Sequence, residues 1–216
     1  MTTDGSADAV LRLFVAIELP DAWKEALAAY QEGLQRRLDG SGGSLRVRFV
    51  RPEGIHLTLK FLGETGSDRL ATVEAALALA VPAPPRFRIS VGCVGSFSDR
   101  RAPRIIWAGL EGETGALSLL AERVETRLAA AGFQREGRAF QPHLTLARLP
   151  QALTAAQRET AARVSAEVAL PRTPPLIVQQ VSLMRSQLGP GGARYECLGR
   201  LPASPDFHLQ ERPADV

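Results

Sequence analysis

The chain has 216 residues, of which 45% are hydrophobic, and it carries a formal net charge of +3. This is enough for one large domain or two small lobes with a proper core. No apolar run approaches the roughly 20 residues that span a bilayer, and the N-terminus lacks the basic start and apolar middle of a signal peptide. We therefore expect a soluble cytoplasmic protein with no membrane partner.

The first half of the chain predicts alternating strands and helices. Period-two alternation predicts a strand over 11–19, and Asp21 is a candidate N-cap for a helix whose apolar face continues to Leu38. The patterns that follow predict, in order, a strand over 46–50, a strand over 55–62, a helix over 68–80, a proline-rich break, and strands over 87–94 and 104–110.

The second half repeats this order. Its patterns predict a helix through Leu117, Leu120, Val124 and Leu128, a strand over 143–149, a helix capped by Thr154, a second proline-rich break, and strands over 177–188 and 194–201. Each half therefore contains a strand, a helix, a break and two strands. One such half cannot cover both faces of its own small sheet.

The predicted fold class is α+β, with two pseudo-symmetric lobes of mainly antiparallel sheet, helices outside and a central cleft. We expect residues 11–202 to form this single bilobal domain, with the first strand and helix crossing back to complete the second lobe. The small, polar residues 1–10 predict a disordered N-terminus, and residues 203–216 predict a C-terminal tail.

The tetrapeptide His-Leu-Thr-Leu occurs twice, at 56–59 and at 143–146, and these copies hold two of the three histidines. Because side chains alternate along a strand, each histidine shares a face with the threonine two residues later, while the leucines point into a core. Two such strands facing each other would place two imidazoles and two hydroxyls around one small cavity.

This combination suits the acid–base hydrolysis of a phosphate ester. One imidazole can deprotonate an attacking water while the other protonates the departing oxygen, because the ordinary histidine pKa lies near neutrality. The hydroxyls of Thr58 and Thr145 can donate hydrogen bonds to the non-bridging oxygens. Neither motif has a second metal ligand two or four residues away, so the sequence indicates no metal and no cofactor.

Other candidates surround the motifs. Strict alternation places Arg148 on the face opposite His143, although a strand end or a bulge could turn it back toward the cleft. Lys60 shares the parity of His56, so it is expected at the cleft mouth or in solvent. Phe97 and Trp107 either pack in the core or stack on a base. Arg100, Arg101 and Arg104 could follow an RNA backbone, whereas His208, near the C-terminus, is interpreted as incidental.

These motifs in their flanks, Val50 to Gly63 and Phe140 to Arg148, resemble the two-histidine (2H) phosphoesterases, and the likeness extends over residues 11–202. The chain is most similar to the bacterial RNA 2′,3′-cyclic phosphodiesterases, also called 2′-5′ RNA ligases. The resemblance implies metal-independent hydrolysis of cyclic phosphate ends to 2′-phosphomonoesters. It implies that His56 is the proton donor, that His143 is the proton acceptor and that Arg148 helps to hold phosphate.

The same resemblance implies that reverse chemistry could join a 5′-hydroxyl RNA to a cyclic phosphate end through a 2′-5′ linkage. Expected partners are RNA with 2′,3′-cyclic phosphate ends or small cyclic nucleotides, and the protein is expected to be a monomer. Two alternatives stay open. One is a phosphodiesterase for 2′-5′ oligonucleotides or small cyclic nucleotides, and the other is a non-catalytic nucleotide- or RNA-binding module.

Overall fold

The structure is a computed structural model, which describes residues 9–40, 45–98, 102–189 and 192–202. Its strands are β1 (Val10–Glu18), β2 (Arg48–Phe49), β3 (His56–Gly66), β4 (Phe87–Ser98), β5 (Pro103–Gly112), β6 (His143–Arg148), β7 (Leu176–Val178), β8 (Val181–Gly189) and β9 (Gly192–Leu201). Its α-helices are α1 (Asp21–Asp39), α2 (Leu70–Ala80), α3 (Thr114–Ala130) and α4 (Ala155–Glu167).

The strands form one hydrogen-bonded path in the order β7-β4-β5-β6-β3-β1-β8-β9, with β2 beside β6. Every described pairing in it is antiparallel. The two central strands, β6 and β3, share the single residue pair Leu57 and Leu144. Four strands of the path therefore lie on each side of a narrow junction, with β2 added on the β6 side, which confirms the predicted bilobal α+β fold.

The lobes do not correspond to the halves of the sequence. The strand β3 belongs to the first half but lies beside β1, β8 and β9, whereas β6 belongs to the second half but lies beside β5 and β4. The helices follow this exchange, because α4 packs on β4 and β5 while α3 packs on β3. Each lobe therefore combines a motif strand from one half with the paired strands of the other.

The first strand and the first helix belong to different lobes. As expected, β1 completes the lobe that contains β8 and β9. By contrast, α1 packs against α4, which covers the other lobe. Its side chains fix that position, because Trp23 Nε1 donates to the carbonyl of Pro174 at 2.7 Å and Tyr30 Oη donates to the carbonyl of Ser165 at 2.7 Å. The helix α1 thus packs on the lobe opposite to the one that its neighbour in sequence, β1, completes.

The main core lies between the sheet and the helices. Its central side chains are fully buried, among them Leu34, Leu57, Leu77, Leu117 and Leu144. Fully burying one such side chain contributes roughly 1.5–3 kcal/mol, so this face dominates the stability of the fold. A second, small cluster of Phe14, Ala16 and Met184 lies on the opposite face of β1 and β8.

The structure differs from several local predictions. The predicted strand over 177–188 is two strands, β7 and β8, which pair with β4 and with β1 and β9, respectively. Pro20, rather than Asp21, is the N-cap of α1, and Asp21 instead pairs with Lys24 in the first turn. Thr154 forms the predicted cap, with a complete capping box on Gln157. Within the described residues, no helix has both the length and the apolar character needed to cross a membrane.

The N-terminal strand begins at Val10, one residue earlier than expected. Disorder was expected over 1–10, but Val10 belongs to β1. Residues 1–8 and the expected tail over 203–216 lie outside the described residues, as do Arg100, Arg101 and His208.

Candidate active site

The two His-Leu-Thr-Leu motifs lie side by side at the junction of the lobes. Both tetrapeptides have the same burial pattern, with the histidine and threonine half-buried and both leucines buried. Leu57 pairs with Leu144 in antiparallel register. His56 is therefore directed toward the Thr145 end of β6, and His143 is directed toward the Thr58 end of β3. The histidines and threonines therefore share the face of the sheet opposite the main core, as the alternation predicts.

Each imidazole is oriented by the turn that precedes its strand. The Nδ1 atom of His56 lies 2.8 Å from the carbonyl oxygen of Gly54, and the Nδ1 atom of His143 lies 2.8 Å from that of Gln141. A carbonyl oxygen only accepts hydrogen bonds, so this contact assigns the proton to Nδ1 in both rings. The Nε2 atom can then accept a proton when the ring is neutral, or donate one when it is charged.

The surroundings of the two imidazoles nevertheless differ. Burial lowers the pKa of His56, the hydrogen bond to Gly54 raises it in part, and the charge of His143 lowers it further, so the net pKa lies below its ordinary value of 6.5. Glu18, which pairs with His56 across β1 and β3, does not offset this shift, because Arg200 and Ser182 bind its carboxylate. His56 in the free protein therefore favours its neutral form.

A bulge changes the side of the sheet on which Lys60 lies. In the pairing of β3 with β1, Thr58 is opposite Ala16 but Lys60 is opposite Val15, so Leu59 is an extra residue. Lys60 consequently points into the core with Leu59, where it is 1% exposed. The expectation of a lysine at the cleft mouth or in solvent is therefore wrong, because the alternation on which it depends is interrupted.

The buried ammonium of Lys60 has two partners. Its Nζ atom lies 2.8 Å from Glu125 Oε2 on α3 and donates to the carbonyl of Gln134 at 2.7 Å. The other carboxylate oxygen of Glu125 accepts a hydrogen bond from the backbone N–H of Glu136. This pair holds the start of the connection that continues from α3 to His143, and hence links the first motif strand to the approach to the second.

A matching bulge in β6 turns Arg148 toward the histidine face. Opposite β5, Thr145 pairs with Trp107 and Ala147 pairs with Ile106, so Leu146 is the extra residue. Both Leu146 and Ala147 are buried, and the next residue, Arg148, is exposed. The sheet therefore places Arg148 on the same side as His143, which strict alternation excluded and a bulge allowed.

Gln31, a buried residue of α1, supports this bulge. Its Nε2 atom donates to the carbonyls of Val50, at 2.8 Å, and Leu146, at 2.9 Å. The backbone N–H of Val50 also donates to the carbonyl of Leu146. The irregular backbone behind Arg148 thus has its hydrogen bonds satisfied from outside the sheet. A polar residue on the otherwise apolar face of the first helix was the sequence signal for this contact.

Aromatic rings surround both imidazoles. Phe14 and Tyr195 lie with their ring centroids 4.6 and 4.8 Å from that of His56. Phe97 lies 4.8 Å from His143 and 5.1 Å from Trp107. Neither Phe14 nor Tyr195 was predicted from the sequence as part of the site. In β1 a signal was available, because Phe14 is a large apolar side chain at a position that alternates with the core-facing residues Leu13 and Val15.

Metal ligands do not gather here. In the part of the chain that the structure describes, no group of three or more histidine, cysteine, aspartate or glutamate side chains is placed to hold an ion. What the site offers instead is two imidazole nitrogens, two hydroxyls and one exposed guanidinium on one face. Such a set can move two protons and bind an anionic group between them.

Comparison with known proteins identifies the family to which this chain is similar. The family model of the LigT-like phosphoesterases matches residues 17–107 and 110–195. The RNA 2′,3′-cyclic phosphodiesterase of Archaeoglobus fulgidus is 37% identical over 64% of this chain and 73% of its own length. The protein of the same name from Methanothermobacter thermautotrophicus is 29% identical over 86% of this chain and 95% of its own length.

A solved structure shares the fold. The crystal structure of E. coli LigT complexed with 3′-AMP superposes with a TM-score of 0.63 and 25% sequence identity, over 91% of this chain and 99% of that one. The matched segments include both histidine motifs and all four α-helices. The chain therefore belongs to the LigT-like phosphoesterase family.

Proposed function

We propose that this protein hydrolyses RNA 2′,3′-cyclic phosphodiester ends to 2′-phosphomonoesters, using paired histidines and no metal ion. The observation that carries the proposal is the pair of imidazoles at the lobe junction, each with Nδ1 fixed by a carbonyl and each beside a threonine. The name shared by the relatives from Archaeoglobus and Methanothermobacter supports the substrate class. The 3′-AMP in the E. coli structure supports a site that accepts a nucleotide.

The reaction requires two proton transfers on opposite sides of the phosphorus. In our assignment, Nε2 of His143 takes a proton from water as the water oxygen bonds to phosphorus. The bond from phosphorus to the ribose 3′-oxygen breaks, and Nε2 of protonated His56 supplies the proton to that oxygen. The product keeps its phosphate on the 2′-oxygen. His143 finishes protonated and His56 neutral, so the pair exchanges its protons with solvent before the next turnover.

The phosphate is held by the remaining polar groups of this face. Thr58 and Thr145 would donate their hydroxyls to the non-bridging oxygens, and the exposed guanidinium of Arg148 would bind the same charge in bidentate fashion. Donors aimed at the oxygens of the transition state usually supply the largest single share of such catalysis. These three residues are therefore the proposed phosphate-binding set.

An alcohol can replace water in the same mechanism. If the 5′-hydroxyl of a second RNA attacks, the product is a 2′-5′ phosphodiester and a free 3′-hydroxyl, which is ligation. The reverse of that step cleaves a 2′-5′ linkage back to a cyclic phosphate, and the same two imidazoles serve with their roles exchanged. We propose this transfer as a second activity of the same site.

The test is incubation with an oligonucleotide that ends in a 2′,3′-cyclic phosphate, in the presence of EDTA, followed by identification of the product isomer. We expect turnover to continue and to give the 2′-phosphate. His56→Ala and His143→Ala should each lower kcat by on the order of 10²–10⁴, the usual contribution of a positioned acid or base. His208→Ala is the matched control, because that histidine belongs to neither motif. Loss of activity in EDTA with recovery on adding a divalent ion, or near wild-type rates in either motif variant, contradicts the proposal.

A further inference from the structure

We propose that Phe97 and Trp107 form a second nucleoside subsite, which stacks the base of the nucleoside that contributes the 5′-oxygen of a 2′-5′ phosphodiester. This inference rests on the proposed function, since it concerns a substrate for the same two imidazoles. It distinguishes a one-nucleoside reaction, hydrolysis of a cyclic phosphate, from a two-nucleoside reaction, formation or cleavage of a 2′-5′ linkage.

The two rings extend outward from the imidazole of His143. Phe97 meets that imidazole at an interplanar angle of 88° and lies beside Trp107 at an interplanar angle of 32°, with centroids 5.1 Å apart. Both aromatic side chains are half-buried, so neither belongs to the closed core. They therefore provide a partly accessible aromatic surface that begins at the imidazole proposed as the base.

Two glycines in the sheet leave room for the indole of Trp107. Gly95 pairs with Trp107, and a Cβ atom on Gly95 would lie 2.4 Å from an indole carbon. Gly109 pairs with His143, and a Cβ atom there would lie 3.1 Å from the same ring. Two positions without side chains thus let the indole lie across the backbone of β4 and β5, beside the strand that carries the histidine.

The indole nitrogen indicates how a base would be bound. Trp107 Nε1 is buried and has no hydrogen-bond partner among the described residues, so it faces the protein. The accessible part of the ring is therefore carbon, which can stack on a base but cannot donate to its edge. Stacking of this kind accepts any base, because every base has a π-face. We accordingly expect little base preference at this subsite.

The side of the phosphorus follows from the mechanism. In an in-line displacement the attacking and leaving oxygens lie on opposite sides of phosphorus. His143 is assigned to the attacking oxygen, so an attacking 5′-hydroxyl carries its nucleoside to the His143 side. The bond from the 5′-oxygen to phosphorus forms, the bond to the 3′-oxygen breaks, His143 takes the hydroxyl proton and His56 protonates the 3′-oxygen. During hydrolysis, a water molecule takes the place of the 5′-hydroxyl on the His143 side, and no second nucleoside is bound there.

The experiment compares kcat/KM for two substrates of the same enzyme, adenosine 2′,3′-cyclic phosphate and a 2′-5′-linked diadenosine monophosphate. In Trp107→Leu and Phe97→Leu, the ratio of the dinucleotide value to the cyclic phosphate value should fall by roughly 5- to 150-fold, the usual range for one stacked base. Gly95→Ala should change the ratio in the same direction, because it displaces the indole without removing it. Leu119→Ala, an exposed position on α3, is the control and should change neither value.

A binding measurement separates this inference from the proposed function. In a His56→Ala background, the dinucleotide should quench the fluorescence of Trp107, whereas the cyclic mononucleotide should not. The other tryptophan, Trp23, is completely buried and should contribute a constant signal. Equal losses on both substrates, or equal quenching by both, would show that the rings only support His143 and would overturn the subsite. Quenching specific to the dinucleotide, in a wild-type protein that hydrolyses neither compound, would leave the subsite in place and reject the catalytic function.

Discussion

The two histidines lie in identical tetrapeptides but in different surroundings. Both imidazoles have the same backbone partner geometry, so the tautomer is the same. The difference comes from what lies around the rings, since Phe14 and Tyr195 enclose His56 while Phe97 contacts His143. A histidine with a lowered pKa is the more natural base in the free protein, whereas the family resemblance makes His56 the acid. Substrate reconciles the two, because a bound phosphate anion raises the pKa of a nearby imidazole.

The roles can be separated by the pH dependence of the single variants. In His143→Ala, kcat/KM should fall as pH rises, with a midpoint below 6.5, because the remaining acid is His56 and its pKa in the free protein is lowered. In His56→Ala it should rise with pH, because the remaining group acts as a base. The measurement is a pH series on the cyclic phosphate substrate, with an NMR titration of the His56 ring beside it. If the two slopes are interchanged, His56 is the base and His143 the acid.

At the scale of elements, the site depends on two bulges that sequence periodicity does not show. The bulge at Leu59 turns Lys60 into the core, and the bulge at Leu146 turns Arg148 out onto the histidine face. A one-residue insertion reverses every side chain beyond it, because the strand period is two. Parity therefore predicted the histidines and threonines, which precede the bulges, but not the two cations, which follow them.

Gln31→Leu tests the support of the second bulge. We expect it to lower the free energy of unfolding by about 1–3 kcal/mol, because the carbonyl of Val50 loses its side-chain donor and that of Leu146 loses one of two. If the bulge orients Arg148, then KM should also rise, as we expect for Arg148→Ala, which removes the guanidinium proposed to bind phosphate. Urea denaturation and steady-state kinetics provide the two measurements.

The matched control is Gln35→Leu, the same chemical change one turn later, where the side chain bonds only to Asp39 on the surface. That variant should lie within about 0.5 kcal/mol of wild type, with an unchanged KM. A Gln31 variant that matches this control would show that the β6 bulge needs no support from α1.

Lys60 and Glu125 form the buried pair that links the motif strand β3 to α3. Lys60→Met should lower the free energy of unfolding by on the order of 3–5 kcal/mol, because it leaves the carboxylate of Glu125 without its cation. Lys24→Met is the matched control, since the pair of Lys24 with Asp21 is exposed and such pairs contribute less than about 1 kcal/mol. Similar losses in the two variants would mean that the Lys60 pair is not a structural link. The double variant Lys60→Met with Glu125→Leu should recover part of the loss, since it removes the unpaired charge.

At the scale of the molecule, the lobes are interleaved. Each motif strand leaves its own half of the chain to complete the other lobe, and α1 packs on the lobe opposite to that of β1. Neither half can therefore form its lobe without the other. This interleaving brings two distant histidines to neighbouring strands, and it makes loss of one lobe equivalent to loss of the site.

Stability should depend on pH through two groups near the junction. The pKa of His56 is lower in the folded protein than in the unfolded chain. With respect to this residue, the free energy of unfolding therefore has its full value above about pH 6.5. It decreases as pH falls through the folded-state pKa, because the unfolded chain binds the proton more readily. For Glu18, burial alone raises the pKa, but hydrogen bonds from Arg200 and Ser182 and the charge of Arg200 lower it overall. Its contribution is therefore lost at lower pH, as the carboxylate is protonated. Urea unfolding from pH 8 to about pH 3 should show the free energy of unfolding decreasing first through His56 and then, below about pH 4.5, through Glu18.

The variant His56→Gln is the comparison for the first part of that curve. It should flatten the dependence that begins as pH falls below about 6.5, while leaving the part at lower pH, which belongs to Glu18. An unchanged slope in this window would show that His56 is not desolvated in the folded protein.

The sequence by itself determined the element types, the duplicated motif and the face that carries it. These follow from local physics, since side-chain period and turn residues act within a few residues of chain. Thr154 as the cap of α4 is the clearest case, because the cap and its Gln157 partner are three residues apart. The four motif side chains on one face follow from the same rule.

Only the tertiary structure decided which strands are neighbours. The exchange of β3 and β6 between the lobes, the burial of Lys60 and the aromatic rings against each imidazole all depend on contacts between residues far apart in the chain. Local patterns do not identify the partners in these contacts, because burial depends on how the whole core packs. The bulge in β6, for example, is stabilised by Gln31, which lies on α1. The sequence therefore defined the reacting groups, and the packing defined their environment and hence the lowered pKa of His56.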